Sequence, residues 1–284
     1  MVINPQTQFC GVIGNPVEHS LSPAIHNAAF QKLGLNLVYL AWRVEIIGAA
    51  IQGLKALGNF RGASVTIPHK VTAVPFLDDV ESTARHIGAI NTIVAHQGKL
   101  TGYNTDATGA LRALKDGGAA SRGQRVVILG SGGAARAIAF ALASDGATER
   151  LDLLGIDDQE RKTLAGDLRS KTGLVVYEQA LNEGTLKQVL GVAHVLIHCT
   201  PIGMSPKVED SCVPSSLLHK GLTVMDIVYN PRETRLLKDA KAAGCTVIPG
   251  LEMFLHQAAA QFELWVNRPA PTDVMRTILE ARFS

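Results

Sequence analysis

The chain is short of the features that mark several protein classes. Its four cysteines (Cys10, Cys199, Cys212, Cys245) are scattered, with no CxxC pair, so neither a zinc site nor a disulfide framework is indicated and a reducing cytoplasm is the simplest home. No metal-ligand cluster is visible. Apolar runs such as Val126–Leu129 and Leu222–Val228 fall far below the roughly 20 residues that a membrane span needs. The start, MVINPQTQFCGVIG, lacks the charged and apolar regions of a signal peptide. There is no long basic run, and 27 Lys and Arg against 25 Asp and Glu leave a formal charge of +2, which argues against a nucleic-acid partner. What is present is core: 46% hydrophobic and 18% charged residues exclude a disordered or collagen-like chain. At roughly 150 residues per domain, 284 residues predict two domains or one large α/β unit.

Short apolar runs alternate with helical patterns. Strands are expected at Phe9–Ile13, Leu37–Trp42, Ala63–Ile67, Asn91–Ala95, Val126–Leu129, Leu151–Leu154, Leu174–Tyr177, Val195–Ile197, Val224–Val228 and Cys245–Ile248. Between most of them, apolar residues recur at helical spacing, as in Ala137–Leu142 and Leu236–Ala243. That alternation predicts parallel sheets covered by helices on both faces. Gln97-Gly98, between Asn91–Ala95 and Leu100–Tyr103, reads as a hairpin turn and predicts an antiparallel edge in the first half. The glycine-rich stretch from Asp116 to Gly123 marks a boundary. After about Pro249 the rhythm changes to two helices, Leu251–Val266 and Thr272–Phe283, split by Asn267–Pro271, a tail able to pack back on the first domain.

Val126–Leu129 runs directly into Gly130-Ser131-Gly132-Gly133-Ala134-Ala135, and a helix is expected from near Arg136. This is the strand–turn–helix setting of a dinucleotide fingerprint, with Ala135 at the final small position. Gly130 permits the tight turn, Gly132 lets backbone approach a pyrophosphate, and the helix N-terminus offers free N–H groups to the anion. A glycine-rich turn with no ligand is the bland alternative, and the strand–turn–helix context weighs against it. A dehydrogenase, a methyltransferase and a silent nucleotide-binding module all satisfy the motif.

Three constellations stand out in the first half. Ser20-Leu21-Ser22-Pro23 reads as a helix start, with Ser22 capping and Pro23 in the first turn; its two hydroxyls also suit a substrate carboxylate. His19 and His26, with no Cys, Asp or Glu at metal spacing, read as structural. In Ser64-Val65-Thr66-Ile67-Pro68-His69-Lys70 a strand is expected to end at Pro68 and present Lys70 at its C-terminal edge, where open α/β sheets place their sites. Asn104-Thr105-Asp106 offers either a helix cap near Asp106 or a carboxylate that pairs with Lys70 and moves a proton to or from a hydroxyl.

Taken in order, these motifs resemble the shikimate dehydrogenase family over almost the whole chain. The serine motif, Val65–Lys70, Ile87–Thr92, Asn104–Gly109, Gly130–Ala137, Thr200-Pro201-Ile202-Gly203-Met204, Asp226–Pro231 and Gly250-Leu251-Glu252-Met253 with Gln257 carry the likeness. It implies reversible hydride transfer between a nicotinamide cofactor and shikimate, with 3-dehydroshikimate as the ketone, in aromatic amino acid biosynthesis. It implies a Rossmann-type doubly wound parallel sheet plus an α/β substrate domain with a mixed sheet. Residues 1–106, completed by 250–284, would form the substrate-binding catalytic domain and 107–249 the dinucleotide-binding domain, with the active site in the cleft between them. By correspondence, Ser20 and Ser22 bind the ring carboxylate, Thr66, Asn91 and Gln257 surround the ring hydroxyls with Tyr229 lining the cleft, and Lys70 with Asp106 is the acid/base pair. Gly130, Ser131, Gly132, Gly133, Ala134, Asp157, Thr200, Met204 and Gly250 would serve the cofactor. No metal, nucleic acid or membrane is expected, and the chain would be a monomer or homodimer.

The sequence departs from the family pattern at three places. His198-Cys199 stand where asparagine and a small residue are usual, and Ser64 where asparagine is common. Asn-Arg-Thr, a clamp for the 2′-phosphate of NADP, is replaced by Gly155-Ile156-Asp157-Asp158. The family favours NADP. Asp157, 24 residues beyond Gly133, lies near the spacing of an acid that binds the free 2′-hydroxyl of NAD, which tilts the expectation slightly to NAD. The alternatives are a quinate/shikimate or aminoshikimate dehydrogenase and, from another class, a non-catalytic dinucleotide-binding sensor.

Overall fold

Each of the ten apolar runs carries a strand in the computed structural model, which describes residues 3–119 and 123–282. Ala120, Ser121 and Arg122 of the expected boundary stretch, and Phe283 at the expected end of the last helix, lie outside the described residues. The chain divides into two compact units, Met1–Thr108 with Leu255–Ser284 and Gly109–Phe254.

The first unit holds β1 (Gln8–Gly14), α1 (Ser22–Lys32), β2 (Leu37–Arg43), α2 (Ile47–Lys55), β3 (Phe60–Val65), α3 (His69–Thr72), β4 (Asp79–Val80), α4 (Ser82–Ile87), β5 (Thr92–His96) and β6 (Lys99–Tyr103). Its mixed sheet has the order β2-β1-β3-β5-β6-β4, around a core that includes Ile13, Ile51, Phe60, Ile93 and Leu100. The hairpin turn forms as expected: Gln97 and Gly98 both take positive φ, 48° and 75°, the pair that a two-residue type I′ turn requires. The antiparallel strand is not at the edge, however. Only β5 runs against its neighbours β3 and β6; the hairpin turns β6 back, and β4 pairs parallel beyond it. Two residues are too few for a strand this short to show alternation in sequence.

Two further expectations need correction. β3 stops at Val65 rather than running to Pro68, and Ile67 is exposed. Proline has no N–H for the ladder, so the chain leaves the sheet and Lys70 rides on the single turn of α3. In α1, Ser22 is the first helical residue and not the cap: Leu21 already has helical angles, and its side chain caps nothing. Ser20 Oγ instead accepts the Ser22 N–H at 3.3 Å.

The second unit follows with α5 (Thr105–Asp116, begun in the first unit), β7 (Gln124–Leu129), α6 (Gly133–Asp145), β8 (Thr148–Gly155), α7 (Asp158–Thr172), β9 (Val175–Ala180), α8 (Glu183–Leu190), β10 (Val195–His198), β11 (Thr223–Asp226), α9 (Arg235–Ala242) and β12 (Thr246–Pro249). All six strands are parallel, in the order β12-β11-β10-β7-β8-β9. The order reverses between β7 and β10, the switch point where such sheets bind ligands. Val126–Leu129 are buried on both faces, which is why β7 reads as continuous apolar sequence rather than alternation. α6 starts at Gly133, earlier than expected near Arg136, because the Arg136 N–H already closes on Gly132 O.

The tail forms α10 (Gly250–Val266) and α11 (Thr272–Ala281). α11 packs on α1. Trp265 donates its indole N–H to Ile93 O at 3.0 Å, and Arg61 donates to Trp265 O at 2.8 Å, so the end of α10 is pinned to the mixed sheet.

Candidate active site

Lys70 and Asp106 meet in the first unit. Lys70 Nζ donates to Asp106 Oδ2 at 2.6 Å, with side chains 32% and 12% exposed. The other carboxylate oxygen accepts from Asn91 Nδ2 at 2.8 Å. Local sequence explains why Asp106 is available. Asn104, not Asp106, takes the capping position of α5: its Oδ1 faces the Ala107 N–H at 3.4 Å, and its Nδ2 donates to Ala89 O. The carboxylate therefore sits in the first helical turn, where the exposed N–H groups favour negative charge, and keeps both oxygens for side chains. Lys70 is anchored through its own carbonyl, which accepts the Ile90 N–H at 2.8 Å.

Asn91 is itself held by residues that sequence reading left without a role. Its Oδ1 accepts the Thr105 N–H and the Thr92 hydroxyl, both at 2.7 Å. Behind it, Gln261 Nε2 donates to Asn91 O and to Thr92 Oγ1, each at 3.1 Å. Gln261 Oε1 accepts from Ser64 Oγ at 2.8 Å, and Ser64 accepts from the Tyr39 hydroxyl at 2.6 Å. Burial pushes the Tyr39 hydroxyl far above its ordinary pKa, and Ser22 lies beside it. A buried asparagine needs several partners, the one sequence signal that could have pointed to Thr92, Thr105 and Gln261. Thr66 projects against Gly14, where a Cβ would come within 2.3 Å of Thr66 Cγ2. Gln257 lies half-buried on α10. Tyr229 belongs to the second unit, half-exposed and packed on Phe254 with ring centroids 5.1 Å apart.

In the second unit, Gly130 has φ +108°, and a Cβ there would come within 3.2 Å of Cys199 O and 3.3 Å of Thr200 Cγ2. Gly132 and Gly133 face open space, and Gly132 caps α6 with no side chain. A turn that must be glycine, followed by an uncapped helix start with room in front of it, fits a pyrophosphate. Ala134 lies in the first turn of α6, Met204 is exposed, and Gly250 is pressed on the Ile227 and Val228 carbonyls. Ser131 Oγ reaches Glu160 Oε2 at 3.3 Å. Asp157 caps α7, accepting the Glu160 N–H at 2.8 Å. Arg161 does not reach back toward a ribose phosphate: it is buried, bound to Glu178, Gly155 O and Asp158. Lys162 pairs with Asp158 at 3.1 Å.

The family model for the shikimate dehydrogenase substrate binding domain matches residues 12–93, and that for the shikimate 5'-dehydrogenase C-terminal domain matches 250–280. The shikimate dehydrogenase (NADP(+)) of Moorella thermoacetica is 46% identical over 98% of this chain and 94% of its own. The chain belongs to the shikimate dehydrogenase family. Within that family, the shikimate 5-dehydrogenase of Listeria monocytogenes, solved with shikimate and NAD, superposes with a TM-score of 0.94 at 36% identity, covering 98% of each chain. A shikimate dehydrogenase solved with NADP+ gives 0.92 at 37% identity, covering 100% of this chain and 98% of that one.

His198 and Asp226, the last residues of β10 and β11, are 1% and 0% exposed, and His198 Nδ1 donates to Asp226 Oδ1 at 2.9 Å. His198 Nε2 lies 2.5 Å from Thr200 Oγ1. Burial alone would depress the imidazole pKa, but the Asp226 carboxylate and Cys212 outweigh it and push it up to about 9. Asp226 stands in a motif read for its tyrosine, so the partnership was not legible from spacing.

Proposed function

We propose that the chain is an NADP- or NAD-dependent shikimate dehydrogenase, interconverting shikimate and 3-dehydroshikimate. The contact of Lys70 Nζ with Asp106, backed by Asn91, carries the reading. A non-catalytic sensor would have no need of an acid/base pair braced in this way.

Reduction of the ketone needs a proton at oxygen as hydride reaches carbon. The nicotinamide ring, when bound, supplies or accepts that hydride. Lys70 in its ammonium form donates the proton, and in the reverse direction its neutral amine takes the hydroxyl proton. Asp106 holds Nζ in place, and Asn91 holds Asp106. Ser20 and Ser22 bind the ring carboxylate beside the start of α1. Thr66, Asn91 and Gln257 order the ring hydroxyls. Residues 1–106 with 250–284 bind the substrate, and 107–249 bind the dinucleotide through Gly130–Ala134, Thr200 and Met204, with Gly250 of the returning tail serving the cofactor as well.

The relatives named for NADP(+) argue for the phosphorylated cofactor. This chain's own residues tilt toward NAD, since Asp157, Asp158 and Glu160 gather where a 2′-phosphate would lie and Arg161 is committed elsewhere. Four free cysteines suit the cytoplasm, and among the described residues no helix is long and apolar enough to cross a membrane.

The deciding experiment is a matrix of initial rates, shikimate and quinate each with NAD and NADP, followed by nicotinamide absorbance. Turnover of shikimate above quinate is expected. A flat absorbance in all four arms with cofactor still bound would make the protein a sensor, and faster quinate turnover would make it a quinate/shikimate enzyme.

A further inference from the structure

The pair His198–Asp226 ends two adjacent strands in register, and it does more than fill the core. Asp226 is held by three donors. Oδ1 accepts from His198 Nδ1 at 2.9 Å and the Val228 N–H at 3.0 Å, and Oδ2 accepts from Thr234 Oγ1 at 2.6 Å. Thr234 in turn caps α9, so the carboxylate also lies close to a helix N-terminus. On the other side of the ring, Thr200 Oγ1 is approached by His198 Nε2 at 2.5 Å and by the Ile202 N–H at 3.3 Å. Thr200 Cγ2 borders Gly130, the first glycine of the cofactor loop.

We propose that His198 is a positioning residue: as an imidazolium held by Asp226 it donates to Thr200, and so fixes the Thr200 hydroxyl as a donor to an acceptor oxygen of the bound dinucleotide. A hydroxyl has one proton and two lone pairs. With His198 Nε2–H and the Ile202 N–H both donating, the lone pairs are used and only the proton is left to point outward. A neutral ring reverses this. Nδ1–H still donates to Asp226, bare Nε2 must then accept the Thr200 proton, and the hydroxyl can offer the cofactor only a lone pair. One proton on a buried ring thus sets the polarity of a contact beside the cofactor loop.

The titratable groups acting on the ring are Asp226 on β11 and Cys212 in the connection after β10; Cys199, next to His198 in the chain, faces Asp226. Burial pushes the Cys199 thiol up, so it stays neutral. Asp226 is the dominant counter-charge, and with Cys212 it keeps the imidazolium to about pH 9.

This inference rests on the dinucleotide-binding reading above, and its first test is independent of turnover. With 15N-labelled histidine and His198→Gln to assign the signal, NMR at pH 7.5 should show both His198 nitrogens protonated, titrating near pH 9. A neutral tautomer at pH 7.5 overturns the proposal. Calorimetry of NAD and NADP binding without shikimate should then show affinity falling about three- to tenfold, the scale of one hydrogen bond, as pH rises past 9. Thr200→Val should lose a similar factor at pH 7.5. His198→Gln, which carries no titrating proton, should remove the pH step. Cofactor affinity that is flat with pH in the wild type, or unchanged in Thr200→Val, also overturns the proposal. Turnover of shikimate would survive that result. Normal NMR and cofactor binding with no turnover would instead sink the enzymatic reading and leave this one standing.

Discussion

Lys70 Nζ and Asp106 Oδ2 lie 2.6 Å apart, and the second Asp106 oxygen is held by Asn91. The carboxylate therefore cannot follow the amine freely, and the amine cannot leave without stranding a carboxylate. Lys70→Ala is expected to lower kcat by about 10²–10⁴-fold, the usual contribution of a general acid or base, with far less effect on shikimate binding. Asp106→Asn should act in the same direction, and the double variant should fall short of the sum of the two. Steady-state kinetics check this. A kcat within about threefold of wild type with only KM raised would make Lys70 a binding residue.

The serines separate substrate binding from stability. Ser20→Ala with Ser22→Ala should raise KM for shikimate and leave cofactor affinity nearly intact, because each hydrogen bond to a charged group is worth about 1.5–3 kcal/mol. The stability cost belongs mainly to Ser20, whose Oγ accepts the Ser22 N–H. Denaturant unfolding should show roughly 0.5–2 kcal/mol lost in Ser20→Ala, the usual range for a cap, and less in Ser22→Ala. The reverse order would restore Ser22 as the cap.

Two buried histidines shape stability from opposite sides. Burial, only partly offset by Gln261 beside the ring, holds His26 neutral, its pKa depressed to about 3. The unfolded chain takes up a proton below about 6.5 that the folded one refuses. Stability should therefore fall on acidification between those values, by up to about 1.4 kcal/mol per pH unit from this group. His198 behaves oppositely: raised to about 9, it contributes fully below 6.5 and loses its contribution as pH climbs through 9. Unfolding free energy measured from pH 4 to 10 should thus have both limbs. His26→Phe, which keeps the stacking on Tyr39 at 4.6 Å, should flatten only the acid limb. An unchanged acid limb would show that His26 is not its source.

The strands were legible because a doubly covered strand such as β7 is a continuous apolar run, and a hairpin such as β5–β6 announces its turn with Gln97-Gly98. Lys70 and Asp106 were legible as residue types near strand and helix ends. What held them was not. The chain Tyr39–Ser64–Gln261–Thr92–Asn91 joins residues far apart in sequence, and hydroxyls and amides at such positions have no periodicity to betray them. The capping of α1 departs from the sequence preference for a local reason: Leu21 turns helical one residue early, which a preference for serine at caps does not foresee. The end of β3 is not legible because its apolar pattern continues through Ile67, while the strand itself stops at Val65.

Cofactor choice turns on Asp157. Its side chain caps α7, accepting the Glu160 N–H at 2.8 Å. Capping uses Oδ1 and leaves the negative charge where it was, beside Ile156 at the end of β8, with Asp158 and Glu160 on the same turn. The cations that could offset a phosphate are occupied: Arg161 is buried against Glu178 and Gly155 O, and Lys162 is paired with Asp158. A 2′-phosphate brought here meets carboxylates before it meets an unshared cation, whereas a 2′-hydroxyl can donate to one. Wild-type kcat/KM with saturating shikimate should therefore favour NAD. Asp157→Asn, which keeps a good capping residue and removes only the charge, should move the ratio toward NADP, and Asp157→Ala should do the same with some loss of stability. A wild-type preference for NADP of tenfold or more, about 1.4 kcal/mol of transition-state binding, would defeat the argument. So would a ratio that neither substitution moves, because the carboxylate would then play no part in reading the ribose.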